Sequence, residues 1–141
     1  MTGLELFRAM AAGDVPQPGL AVTLGIRPVA ASEGRVSFEL VPDERHLNPL
    51  GTVHGGVLSA LLDSALGCAV HSTLPAGARY TTLQLDVKFV RPTLVGQGSL
   101  LAEGVVIHAG RRTATAEGRV VDERGVVHAH ATTTCLLTRE D

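Results

Sequence analysis

Apolar residues recur along this chain in two rhythms, one of about 3.6 residues and one of about two. Leu4, Phe7, Met10 and Ala11 keep the first, which predicts a short N-terminal helix ended by Gly13 and the Pro16-Gln17-Pro18-Gly19 stretch. From Leu20 to Pro42 the chain is rich in Val, Ile and Phe and reads as two strands. Gly25 weakens the first of them, and Ala31 to Gly34 supplies the turn between them. Asp43 to Thr52 is polar, with Asn48-Pro49 and Gly51 as loop punctuation.

The one long helical pattern runs from about His54 to Ser72, with Leu58, Leu61, Leu62, Ala65 and Ala69 on one face. Thr52 is the expected cap, and Pro75-Ala76-Gly77 closes the segment. The opposite face is small rather than charged: Gly56, Ser59, Ala60 and Gly67 surround Asp63. Such a face permits close approach by a sheet, a ligand or another subunit. Thr81 to Arg91 then alternates, Leu83, Leu85, Val87 and Phe89 pointing one way and Thr82, Gln84, Asp86 and Lys88 the other. Pro92 ends that strand. Three more strands are expected at about Ser99 to Ala109, Arg112 to Val121 and Val126 to Leu137, with turns at Gly110-Arg111 and Asp122 to Gly125. The last four strands read as an antiparallel meander. A long helix must bury its apolar stripe, and one curved antiparallel sheet is the surface available, which makes this an α+β fold. With few long loops, no deep pocket within one chain is expected, and a site between subunits fits better.

Composition narrows function more than fold. Of 141 residues, 45% are hydrophobic and 18% charged, enough for the buried core of one domain. Twelve Lys and Arg against fourteen Asp and Glu leave a formal charge of -2, which excludes a nucleic-acid partner held through a whole basic face. Cys68 and Cys135 are the only cysteines and form no close pair, so neither a disulfide framework nor a Cys-rich zinc site is expected. Glu5, Arg8 and Asp14 interrupt the first twenty residues, against a signal peptide. No uncharged apolar run reaches the roughly eighteen residues of a membrane span. A cytoplasmic protein is the expectation.

The strongest local signal is Asn48-Pro49-Leu50-Gly51-Thr52-Val53-His54-Gly55-Gly56, which feeds directly into the helix carrying Asp63. Gly55 and Gly56 sit where the first helical N–H groups have no intrahelical acceptor. Those donors, at the positive end of the helix, can hold an anion or a developing oxyanion. They can equally serve a tight loop-to-helix turn. Asp63, amid small and apolar residues, must be exposed, hydrogen-bonded or used, since burying it unpaired is costly. It suits activation of water, or pairing with an Arg at a subunit contact. His54 at the helix start can cap, pack or act.

Taken with the Thr82 to Pro92 strand, this motif resembles the hotdog-fold acyl-CoA thioesterases, in their small bacterial phenylacetate-pathway and 4-hydroxybenzoyl-CoA-like branch. The likeness runs from about Leu47 to Pro92 and more weakly through Leu137. It implies a single hotdog domain over 20–141, preceded by a short helical segment over 1–19. It further implies a homodimer joined through the sheets, often a dimer of dimers, with two sites at the dimer interface. In that pattern the Gly55 amide, with Gly56 beside it, polarises the thioester carbonyl. Asp63, from the other subunit, is the nucleophile or general base. Asn48 orients the water or thioester, Thr82 holds water near the carboxylate, and His54 shapes the loop. The implied substrate is an acyl-CoA bearing an aryl group, such as phenylacetyl or naphthoyl, or a medium-length chain, and its hydrolysis needs no metal or other cofactor. For the coenzyme's phosphates Arg91, Arg111 and Arg112 are candidates, because guanidinium groups match phosphate geometry. The alternative is that the Arg pair in a turn is merely solvated. His128 and His130, two apart on a strand, share a face and read as a surface or interface pair rather than a metal site. A dehydratase or hydratase on the same fold fits the motif less well. The alternative of a different class is a non-catalytic acyl-CoA-binding module.

Overall fold

The computed structural model describes residues 1–139. Thr2 opens helix α1 (Gly3–Ala12) with a capping box: its hydroxyl accepts from the Glu5 N–H, and the Glu5 carboxylate accepts from the Thr2 N–H. Leu20 to Leu24, expected as the start of a strand, instead form most of helix α2 (Gly19–Leu24). The reason is local. Gly25 has φ of 77° and donates its N–H to the Ala21 carbonyl, which is the geometry of a helix C-cap rather than a strand. The strands are β1 (Arg27–Ser32), β2 (Arg35–Leu40), β3 (Arg79–Phe89), β4 (Leu100–Ala109), β5 (Thr113–Val121) and β6 (Val127–Thr138), and the long helix is α3 (Gly55–His71). His54, not Thr52, caps α3.

The six strands make one antiparallel sheet in the order β1-β2-β4-β5-β6-β3. β4, β5 and β6 form the expected meander, but β3 does not join β4. Residues 90–99 cross the sheet end, and β3 pairs with β6 as an edge strand. Helix α3 lies on the concave face, where Leu58, Leu61, Leu62, Ala65, Leu66 and Ala69 are buried. The facing strands carry small residues, Ala102, Ala114, Ala116 and Ala129, which let the sheet curve closely around the helix. Closest of all is Gly104, where a Cβ would lie 2.5 Å from the Ala65 carbonyl oxygen.

Strand β3 departs from strict alternation. Its register shifts between Thr82 and Gln84, so Leu83 and Gln84 together face one residue of β6. Tyr80 and Thr82 before the bulge, and Leu85 and Val87 after it, oppose Leu137, Cys135, Thr133 and Ala131, all buried residues of β6. Leu83 is therefore exposed and Thr82 shares the inward face with Leu85, the reverse of the expected sides. The Thr133 hydroxyl donates to the Gln84 carbonyl at 2.7 Å, satisfying a group at the broken ladder.

Candidate active site

Two anchors hold the loop that leads into α3. The His46 Nδ1 accepts from the Asp43 N–H at 2.9 Å, leaving Nε2 to donate to the Leu24 carbonyl at 2.7 Å. On the other side the Val53 N–H donates to the Thr93 carbonyl at 2.8 Å. Asn48 folds the loop on itself: its Oδ1 accepts from the Leu50 and Thr52 N–H groups, and its Nδ2 donates to the Thr52 hydroxyl. At the helix start His54 Nδ1 accepts from the Gly56 N–H at 2.8 Å. Of the two glycine amides, only Gly55 then lacks an acceptor among the described residues. The Phe89 ring lies over it so closely that a Cβ at Gly55 would sit 3.0 Å from Phe89 Cζ. Asn48, Gly55, Leu58, Phe89, Arg91 and Thr93 line an open hollow of about 410 Å³.

Asp63 belongs to a different place on the molecule. Eight residues along α3, it is about 12 Å up the helix axis from Gly55. Its Oδ1 accepts from the Thr82 hydroxyl at 2.9 Å, a contact made possible by the β3 bulge. The carboxylate lines a second cavity, of about 180 Å³, with Met10, Gln17, Phe38, Ser64, Cys68 and Tyr80 among its walls. Burial pushes the Cys68 thiol up to about 11 and raises the Tyr80 phenol as well, so both stay protonated at neutral pH. The small face of α3 is what admits Tyr80: a Cβ on Gly67 would meet its ring at 2.7 Å.

The remaining candidates separate. Arg91 borders the Gly55 hollow, with its Nε donating to the Val127 carbonyl at 2.9 Å. Arg111 and Arg112 occupy the β4–β5 turn, at the end of the sheet where β3 begins rather than where it meets Gly55. One chain thus brings Asn48, Gly55 and Arg91 to one hollow and Asp63 with Thr82 to another. His128 and His130 do not share a face. A register shift on β6 opposite Val120 and Val121 makes His128 the extra residue of a bulge, and it is buried while His130 is exposed. His128 bridges Thr93 and Asp122 in a hydrogen-bonded chain, and nothing in the sequence pattern signals that chain. Among the described residues, no helix is long and apolar enough to cross a membrane.

A long helix clasped in a curved six-stranded antiparallel sheet, with an unoccupied amide at its start and a carboxylate two turns on, defines a hotdog-fold protein. Residues 50–129 match the family profile of the thioesterase superfamily. The chain belongs to that superfamily, the hotdog-fold thioesterases. A phenylacetic acid degradation-related protein of Ralstonia eutropha is 34% identical, with 92% of this chain and 98% of that one covered and a TM-score of 0.83. A Halobacterium salinarum protein that carries an esterase name is 33% identical over 139 residues, covering 94% of this chain and 90% of its own. Human acyl-coenzyme A thioesterase 13 is 28% identical over 78 residues, 55% of each chain.

Proposed function

We propose that this chain hydrolyses aryl or medium-chain acyl-CoA thioesters at two sites of a homodimer, each built from the Gly55 region of one protomer and Asp63 of its partner. One observation carries the reading: the free Gly55 amide and the Asp63 carboxylate stand on one helix about 12 Å apart, too far to act on the same carbonyl carbon within a chain. Edge strand β3 supplies the means of joining them. Two β3 strands paired antiparallel about an axis at Asp86 set Leu85 opposite Val87 and Gln84 opposite Lys88. Across the Leu83 bulge they bring Phe89, which lies on Gly55, opposite Thr82, which holds Asp63.

In that arrangement the Gly55 N–H, at the positive end of α3, stabilises the oxyanion formed when the thioester carbonyl is attacked. Asp63 takes a proton from water as it attacks the carbonyl carbon, the carbon–sulfur bond breaks, and the coenzyme leaves as a thiolate that regains the proton. Thr82 orients the carboxylate, and Asn48 keeps the Gly55 loop folded. Arg91 beside the hollow is suited to a phosphate of the coenzyme, and the Arg111–Arg112 turn is suited to the same role from elsewhere in an assembly. The cavity beside Asp63, about 180 Å³, is of a size for one aryl ring. Kinship with a phenylacetic acid degradation-related protein supports an aryl acyl group.

The test uses thiol release from a panel of aryl, short and medium acyl-CoAs. Wild type is expected to turn over at least one class, and Asp63→Asn to lose about a hundredfold or more of kcat. Refolding Asp63→Asn together with Gly55→Pro, each inactive alone, is expected to restore about one quarter of wild-type activity, because half the dimers then hold one intact site. No restoration overturns the shared site, and coenzyme binding without turnover in wild type favours the non-catalytic module.

A further inference from the structure

A buried polar chain ties the β5–β6 turn to the start of α3. Asp122 in that turn accepts from the Arg124 and Val126 N–H groups through Oδ1, and its Oδ2 accepts from His128 Nε2 at 2.9 Å. On the other side of the ring, His128 Nδ1 and the Thr93 hydroxyl are hydrogen-bonded at 2.8 Å. Thr93 is 3% exposed, His128 4% and Asp122 8%, so the chain is shielded from water along its length. The bond from His128 holds Asp122 well below the usual carboxylate range, which keeps it an acceptor. The segment bearing Thr93 is further zipped to β6 by Val90 N–H to the His128 carbonyl and by Arg91 Nε to the Val127 carbonyl. Thr93 then uses its own carbonyl to hold the Val53 N–H, two residues before Gly55.

We propose that Thr93 and His128 are positioning residues for the Gly55 amide, fixing the helix start against the sheet so that its free N–H stays aimed into the hollow that Gly55 and Thr93 line. The inference rests on the reading of Gly55 as the oxyanion donor, and it adds residues that touch neither the carbonyl nor the carboxylate. The physical reason is stiffness. A loop held only by its own turns moves, whereas a buried, fully paired chain has one low-energy arrangement. A donor displaced by about an ångström loses much of its catalytic effect, up to about a hundredfold.

Thr93→Val keeps the shape and removes the hydroxyl, while Thr93→Ser keeps the hydroxyl. Steady-state kinetics on an acyl-CoA that wild type hydrolyses is combined with amide hydrogen exchange over residues 53–57. Thr93→Val is expected to lower kcat about tenfold or more with KM within about twofold, and to speed exchange over 53–57 but not over β4 or β5. Thr93→Ser is expected to restore both to near wild type. Thr93→Ala, which cannot clash, repeats the comparison should the valine variant not fold. Unchanged kcat in Thr93→Val overturns the proposal, as does an equal loss in Thr93→Ser or a rise in exchange spread evenly over the sheet. If wild type hydrolyses no acyl-CoA, the catalytic reading fails, and the exchange comparison still decides whether Thr93 holds the helix start.

Discussion

In the proposed site Gly55 acts through its backbone N–H, which no ordinary side-chain deletion removes, but proline does. At the first helical position proline is tolerated, and His54, with φ of -62° and ψ of 134°, already has the extended backbone that must precede it. Gly55→Ala adds a Cβ against Phe89 and keeps the N–H, whereas Gly55→Pro adds a Cβ at the same place, closes the ring onto the nitrogen and removes the N–H. The expected difference between the two in kcat is on the order of a hundredfold, measured on the best acyl-CoA found. The His54-Gly55-Gly56 run and Asp63 were legible in the sequence because a helix start and its first turns are local structure. Spacing alone left both glycine amides open, and the resemblance singled out Gly55; the physical reason, the His54 rotamer that takes up the Gly56 N–H, needed the structure. The inward turn of Thr82 was hidden as well, because strict alternation predicts the opposite side and only pairing with β6 reveals the extra residue.

Elements were easier to read than their partners. The long helix, the β1–β2 hairpin and the run of late strands follow from periodicity, while α2 was missed because a six-residue apolar stretch fits either rhythm. The place of β3 was missed for a different reason: a sequence shows which strands are consecutive, and residues 90–99 take the chain past two neighbours before β4 begins. How tightly the sheet grips α3 is set by glycines that look like weak points in a strand. Gly104→Ala drives a methyl group against the Ala65 backbone, which no rotamer change relieves. It is expected to cost about 1–3 kcal/mol in urea unfolding, with fold and assembly retained.

For the molecule as a whole, stability has an alkaline limit written into the Asp63 cavity. The Cys68 thiol, ordinarily at 9.0, is pushed up to about 11 by burial, so between those values the unfolded chain has lost a proton that the native one keeps. Its stabilising contribution is full below pH 9 and is lost as pH rises toward 11. Thermal midpoints are expected to fall across that window, and to fall less in Cys68→Ala. The β3 bulge has a reach beyond its own strand. The residue that turns Thr82 toward Asp63 also displaces one rung of the N–H and C=O groups along the free edge of the sheet. A strand laid there must set one residue against two at Leu83, as β6 does on the other side, which makes a flat, evenly stacked edge less favourable. The extra residue also adds local twist to the edge, one of the devices by which a sheet discourages unrelated strands from docking on it.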